Sequence, residues 1–300
     1  MRINMLYITA STGIFSYNPD SEKIEHVISN KNRAGFFSKK SHGFFGICHQ
    51  ISSQKIIVVS REKLGTKSAG KPTTDIGLHY INPKTNSYQT INYVKDIHDV
   101  HQIDVYGDTV LLTDTGKNRI IAYNLVTDTV HCKIHFGHIR DDVHHINAVT
   151  VISDQILIGM NNSGKSSDIL HLPLTLLDSG SDVIDAFEHA PTITNLGPYT
   201  NTHDIEPFND SFLVCSSHDS VVLDSKTVKP VIRSNNWVRG IAQDEKHIWV
   251  GQSHHAKRAK RHSKHLDGSI LKINSKTMEI ENIISIPGTG QINDLQYINI

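Results

Sequence analysis

The chain has 300 residues, and 30 Lys and Arg are balanced by 30 Asp and Glu, so its formal charge is zero. That length allows one all-β domain with a sizeable core, and the balanced charge gives no global electrostatic grip on nucleic acid. No run approaches the roughly 18 apolar residues a membrane span needs, and MRINMLYITAS is too short an apolar run for a signal peptide. Cys48, Cys132 and Cys215 are an odd set without close pairs, which points to a reducing, cytoplasmic compartment and not to a disulfide framework.

Along the chain one unit recurs. It opens with an apolar strand, MLYITA (5–10), and reaches a polar turn, YNPDSEK (17–23). The strand returns as KIIVVS (55–60), TVLLTD (109–114), QILIGM (155–160), SFLVCS (211–216) and HIWVGQ (247–252). The turn returns as INPKTNS (81–87), YNLVTDT (123–129), LDSKTVK (223–229) and INSKTME (273–279). Short β-branched runs bounded by Asn, Asp, Pro and Ser are strands, not helices. Residues 173–189 are the one stretch that reads as a helical insertion. The repeat spacing of roughly 35–55 residues suits four-stranded propeller blades.

The ends complement each other. GQINDLQYINI (290–300) reads as a first strand with nothing after it, and 2–29 reads as three strands with no first one. Joined, they close a ring without an exposed edge. The expectation is an all-β, six-bladed β-propeller in one domain, 1–300. Its blades are 290–300 with 2–29, then 42–94, 98–136, 143–197, 203–234 and 237–286. A β-sandwich or β-helix is the alternative.

Histidine is abundant, with 20 copies. Six first strands align on Ile51, Ile103, Ile146, Ile205, Ile241 and Leu295, in the words HQIS, HQID, HHIN, HDIE, RGIA and NDLQ. Two residues earlier stand His49, His101, His144, His203, Arg239 and Asn293. Strand side chains alternate faces, so one register position becomes one ring around the channel. Ser52, Asp104, Asn147, Glu206, Ala242 and Gln296 form the next ring. Converging imidazoles suit a divalent ion such as Zn, Fe or Mn, with His49, His101, His144 and His203 as ligands. Asp104 and Glu206 would orient those imidazoles, with Asp99, Asp204 and Asp294 as further candidates. Arg239 and Asn293 would position substrate or stabilise negative charge. His98, His145 and His218 fall near the mouth as supporting groups. An anion-binding His/Arg cluster and a plain structural lining are the other readings of this ring.

Three long loops face the same mouth: 61–75, 161–168 and 253–268. Their Lys and Arg would attract a small anionic substrate, or they are solvated surface. GMNNSGKS (159–166) fits the phosphate-loop pattern, but the segment after it reads as strand, so nucleotide hydrolysis is not expected.

GIAQDEKHIWVG (240–251) resembles the strand pairs of NHL-type, gluconolactonase-like and virginiamycin-B-lyase-like propellers. The resemblance spans the repeat over most of the chain and implies a metal or substrate at the channel mouth. The His-rich ring departs from the acidic and Asn ligands of gluconolactonases, so lactone hydrolysis is not implied. Four histidines on a propeller are similar to carotenoid oxygenases, which are larger and seven-bladed. Two function classes follow. One is a metal-dependent lyase, hydrolase or oxygenase acting on a small anionic or polyhydroxylated substrate. The other is a non-catalytic propeller that binds a protein or glycan partner.

Overall fold

The computed structural model describes residues 4–29, 43–61, 74–137, 142–189, 191–256 and 263–300. It is a six-bladed β-propeller. Blade one joins the two ends of the chain: Ile292–Asn299 is its inner strand, followed outward by Asn4–Ala10, Gly13–Asn18 and Lys23–Ser29. Leu295 faces Ile8 across this seam. The inner strands of blades two to six are Phe44–Gln50, Ile103–Tyr106, Ile146–Ile152, Thr202–Phe208 and Trp237–Gln243. Neighbouring strands within the blades described so far run antiparallel, and the Asn and Asp turns seen in the sequence close their outer hairpins. Asn124 Oδ1, for example, accepts from the N–H groups of Val126 and Thr127, each at 2.9 Å.

The core lies between blades. Six apolar clusters each weld two neighbours, such as Leu111, Ile120 and Phe136 of blade three against Ile146, Ile156 and Ile158 of blade four. The second strand of each blade is buried on both faces, which is why it reads as an unbroken apolar run.

Residues 173–189 are not an α-helix. They form 3-10 turns at Leu174–Asp178 and Ala186–His189 around a short strand, Val183–Asp185. Ser179-Gly-Ser-Asp182, with Gly180 at φ +70°, breaks any helix there. The short strand pairs parallel to Thr129–His135 and so gives blade three a fifth strand. After GMNNSGKS the chain makes one 3-10 turn, Asn162–Gly164, and then enters the strand Asp168–Pro173.

Candidate functional site at the channel mouth

One residue of each second strand, the fourth of the apolar run read in the sequence, fixes the register of the inner ring. Ile8, Val58, Leu112, Ile158, Val214 and Val250 face Leu295, Ile47, Ile103, Val149, Ile205 and Ile241. Two residues before these stand Asn293, Phe45, His101, Asn147, His203 and Arg239. The ring therefore holds two histidines, not four. HQIS and HHIN imitate HQID in sequence, but Ile51 is 75% exposed in the turn beyond its strand. His49 pairs with Ile56 four residues further along, and His144 precedes its strand, whose bulge lies between Ile146 and Ala148. By the same register the next ring is Cys48, Asp104, Thr150, Glu206, Ala242 and Gln296, so Ser52 and Asn147 leave it.

A cavity of about 180 Å³ opens here. His101, His203, Arg239 and Asn293 line it as the register predicts, joined by Phe45, Arg61, Asp99, His145, Asn201 and Gln291. His49 and His144 are not among the lining residues. His145 takes the place that His144 was expected to fill. It sits at φ +47°, in the left-handed region, and no sequence word marks that conformation.

Hydrogen bonding settles which nitrogen of His203 carries the proton. Its Nδ1 lies 2.7 Å from the Asn201 carbonyl and 3.0 Å from Ser217 Oγ, whose own hydrogen goes to the Val238 carbonyl at 2.6 Å. Both Nδ1 neighbours accept, so Nδ1 donates and Nε2 keeps its lone pair. Asn147 Nδ2 donates to the Nε2 lone pair at 3.3 Å. His145 is held alike, with Nδ1 3.0 Å from an Asp142 oxygen. The His101 ring centroid is 5.6 Å from that of His203 and 6.1 Å from that of His145. Burial pushes the His101 pKa down to about 4 and that of His203 well below the imidazole range, where Arg239 and His101 add to the effect. Both rings are neutral bases at pH 7.

Two arginines line the cavity. Arg61 pairs with Asp99, donates to the Val100 carbonyl at 2.6 Å, and lies 3.6 Å over the Phe45 ring. Arg239 reaches Gln291. With the Gln291 amide turned to satisfy both partners, its oxygen accepts from Arg239 Nε at 3.0 Å. Asn293 donates to the Phe44 carbonyl at 2.7 Å.

Asp104 and Glu206, the expected orienting groups, lie a layer deeper and bond elsewhere. Asp104 accepts from Val105 and Val151 N–H, each at 2.7 Å. Asp204 takes Ile205 N–H at 2.8 Å, along with Ile241 N–H and the Gln102 amide. Asp294 takes Leu295 at 2.9 Å and Ile47 at 3.1 Å. Each of these three aspartates thus ties its own strand to a strand of a following blade. Burial raises their pKa values, to about 6 for Asp104 and to about 7 for Asp204. Burial also raises Glu206, helped by the charges of Asp204 and Asp104. Among the described residues, no three His, Cys, Asp or Glu side chains are grouped to hold a metal ion. The basic stretches 62–73 and 257–262 lie outside the described residues. No helix among the described residues is long and apolar enough to cross a membrane.

No family model matches the chain, and no curated protein does. Its likeness to solved structures is extensive in shape and slight in sequence. A chain of a nidogen/laminin complex matches at TM-score 0.63 and 8% identity, covering 98% of both chains. The periplasmic gluconolactonase of Pseudomonas aeruginosa matches at TM-score 0.61 and 8% identity, covering 99% of both. A chain of a mitotic checkpoint complex matches at TM-score 0.52 and 8% identity, over 98% of this chain and 78% of that one. An enzyme and two protein assemblies share this shape, so the likeness establishes the propeller and leaves the chemistry to the site.

Proposed function

We propose that the protein is a hydrolase of a small monoanionic ester or lactone, with Arg239 as the anion anchor and His203 as the general base. The observation that carries this reading is the His203 geometry: a neutral imidazole with Nδ1 committed to two acceptors and Nε2 accepting a long 3.3 Å hydrogen bond from Asn147 Nδ2, which an attacking water would displace, in the same cavity as Arg239. The gluconolactonase among the structural neighbours supports a hydrolytic reading at the level of fold.

Water attacks the substrate carbonyl carbon, and His203 Nε2 takes the proton that water loses. Asn293 offers the second N–H of its amide to the oxyanion. The carbonyl–oxygen single bond then breaks, and the imidazolium returns its proton to the departing alkoxide. Low proton affinity makes the empty-site His203 a weak base. Burial is the largest cause of that depression and the Arg239 charge the next, and a substrate carboxylate at Arg239 would offset the second.

A panel of lactones and carboxylate-bearing esters, followed with a pH indicator, tests the reading. Arg239→Met is expected to raise KM by roughly 10–100-fold, the worth of a charged hydrogen bond. His203→Gln is expected to lower kcat by about 100-fold or more. Turnover by His203→Gln at the wild-type rate would remove His203 from the chemistry.

A further inference from the structure

A second cavity, of about 290 Å³, opens where blades four and five meet, lined by Asp142, His145, Asn161, Gly164 and Asn201. It shares His145 and Asn201 with the cavity at the mouth, so the two adjoin. The Asn201 carbonyl is given to His203. His145 brings an imidazole to the junction, and nothing in the hydrolysis above uses it.

Three observations set this ring apart, and its backbone is the first. The residues two before Phe45, His101, Asn147 and His203 are Gly43, Asp99, His145 and Asn201. All four are left-handed, with φ of +83°, +69°, +47° and +57°. Glycine is unstrained there, and Asn and Asp adopt this region by local hydrogen bonding. An imidazole at this position retains its side chain at a cost in strain, as residues at reaction sites do. Hydrogen bonding is the second. Both Asp142 oxygens lie near Nδ1, at 3.0 and 3.1 Å, while Nε2 makes no hydrogen bond among the described residues. A carboxylate at Nδ1 fixes the ring and stabilises an imidazolium. Access to solvent is the third. The His145 side chain is 32% exposed, whereas His203 is buried. Both rings lie near His101, with centroids 6.1 and 5.6 Å from its own.

We infer that His145, held in its charged form by Asp142, is the general acid for the leaving oxygen. The inference rests on the reading of the mouth given above and adds a second catalytic residue to it, with Asp142 as the positioning residue. The acyl part lies at Arg239 and the leaving alcohol points into the second cavity, which puts the scissile bond at their junction. As the carbonyl–oxygen single bond breaks, its electron pair goes to the departing oxygen, and that oxygen takes the proton of His145 Nε2. The proton that His203 took from water then refills His145 through solvent. The net return of that proton is unchanged, and both rings regain their starting states.

The ethyl and 4-nitrophenyl monoesters of fumaric acid test it, since the trans double bond keeps the free carboxylate away from its own ester. Ethoxide needs a proton to leave, whereas 4-nitrophenolate leaves as the anion. His145→Gln is expected to lower kcat by about 100-fold or more for the ethyl ester, and by less than about threefold for the nitrophenyl ester. Asp142→Asn is expected to show the same selectivity, with a loss of about tenfold on the ethyl ester. A merely structural role would lower both rates alike. His145→Gly gives blade four the residue that blade two has at this position, so it is expected to fold and to share the selective loss. That variant and Asp142→Asn decide the matter if His145→Gln does not fold by circular dichroism. An equal loss on both esters, or no loss on either, overturns the assignment of His145 and leaves the mouth standing. Failure of folded wild type to hydrolyse either ester overturns the reading of the mouth.

Discussion

Asp104 offers the sharpest test of how the channel is built. Its carboxylate receives two backbone N–H groups from two blades, an arrangement that by itself lowers a pKa, yet burial prevails and lifts it to about 6. An aspartate in the unfolded chain titrates near 3.8. The folded state therefore holds a proton between these two values that the unfolded state has released, so stability falls as pH rises from about 4 to above 6. At 1.36 kcal/mol for each pH unit, the span from 3.8 to about 6 corresponds to about 3 kcal/mol. That is a ceiling, because part of the Asp104 surface is accessible and water there screens the charge. Asp104→Asn loses this dependence but turns an NH2 toward one of the two donors, at a cost of about 1–3 kcal/mol. The variant is expected to be less stable than wild type at pH 4.5, and the gap should narrow by up to about 2 kcal/mol at pH 8, the part of the span that lies above pH 4.5. Urea unfolding of both proteins at the two pH values measures this. A gap that does not change with pH would refute the argument that burial governs this carboxylate. Loss of activity without any change in stability would show that Asp104 acts in the chemistry instead of joining the blades.

Other expectations follow from single contacts. A Cβ at Gly46 would stand 2.6 Å from both the His101 carbonyl oxygen and the Ile103 nitrogen, so Gly46→Ala should cost roughly 1–3 kcal/mol or more and disturb His101, read by thermal melting and substrate affinity. Nitrogen-detected NMR of His203 should show an Nδ1–H tautomer with no titration between pH 6 and 8; an Nε2–H signal would contradict the hydrogen-bond assignment. Cys48, Cys132 and Cys215 are buried, and burial raises all three thiol pKa values, so a thiol reagent should label them only on unfolding. Activity should survive exhaustive chelation, since no step of the proposed hydrolysis uses a metal; loss on chelation with recovery on adding Zn or Mn would replace the proposal with metal chemistry.

Composition and periodicity determined the architecture. Six apolar runs spaced by Asn/Asp turns, with a lone strand at the end to match a missing one at the start, are enough to specify a closed ring of blades. They are enough because each run must be buried on both faces. The turn side chains act within a few residues, so their effect is visible locally. Half of the expected imidazole ring was legible on the same ground: His101 and His203, together with Arg239 and Asn293, follow the alternation of their strands. The other half depended on features that no short word encodes. A bulge or an early turn shifts the strand register, so Ile51 and Ile146 copied the pattern without occupying the position. Of the remaining cavity groups, His145 was expected near the mouth and Arg61 opens the 61–75 loop expected to face it, whereas Asn201 and Gln291 arrive from strand ends and loops that no sequence word marks. In the sequence Asp104 and Glu206 read as groups that orient the imidazoles, because ligand histidines usually donate their other nitrogen to a carboxylate. Only the tertiary structure shows where Asp104 is bonded, because the N–H of Val151 that it accepts belongs to the next blade, 47 residues away in sequence.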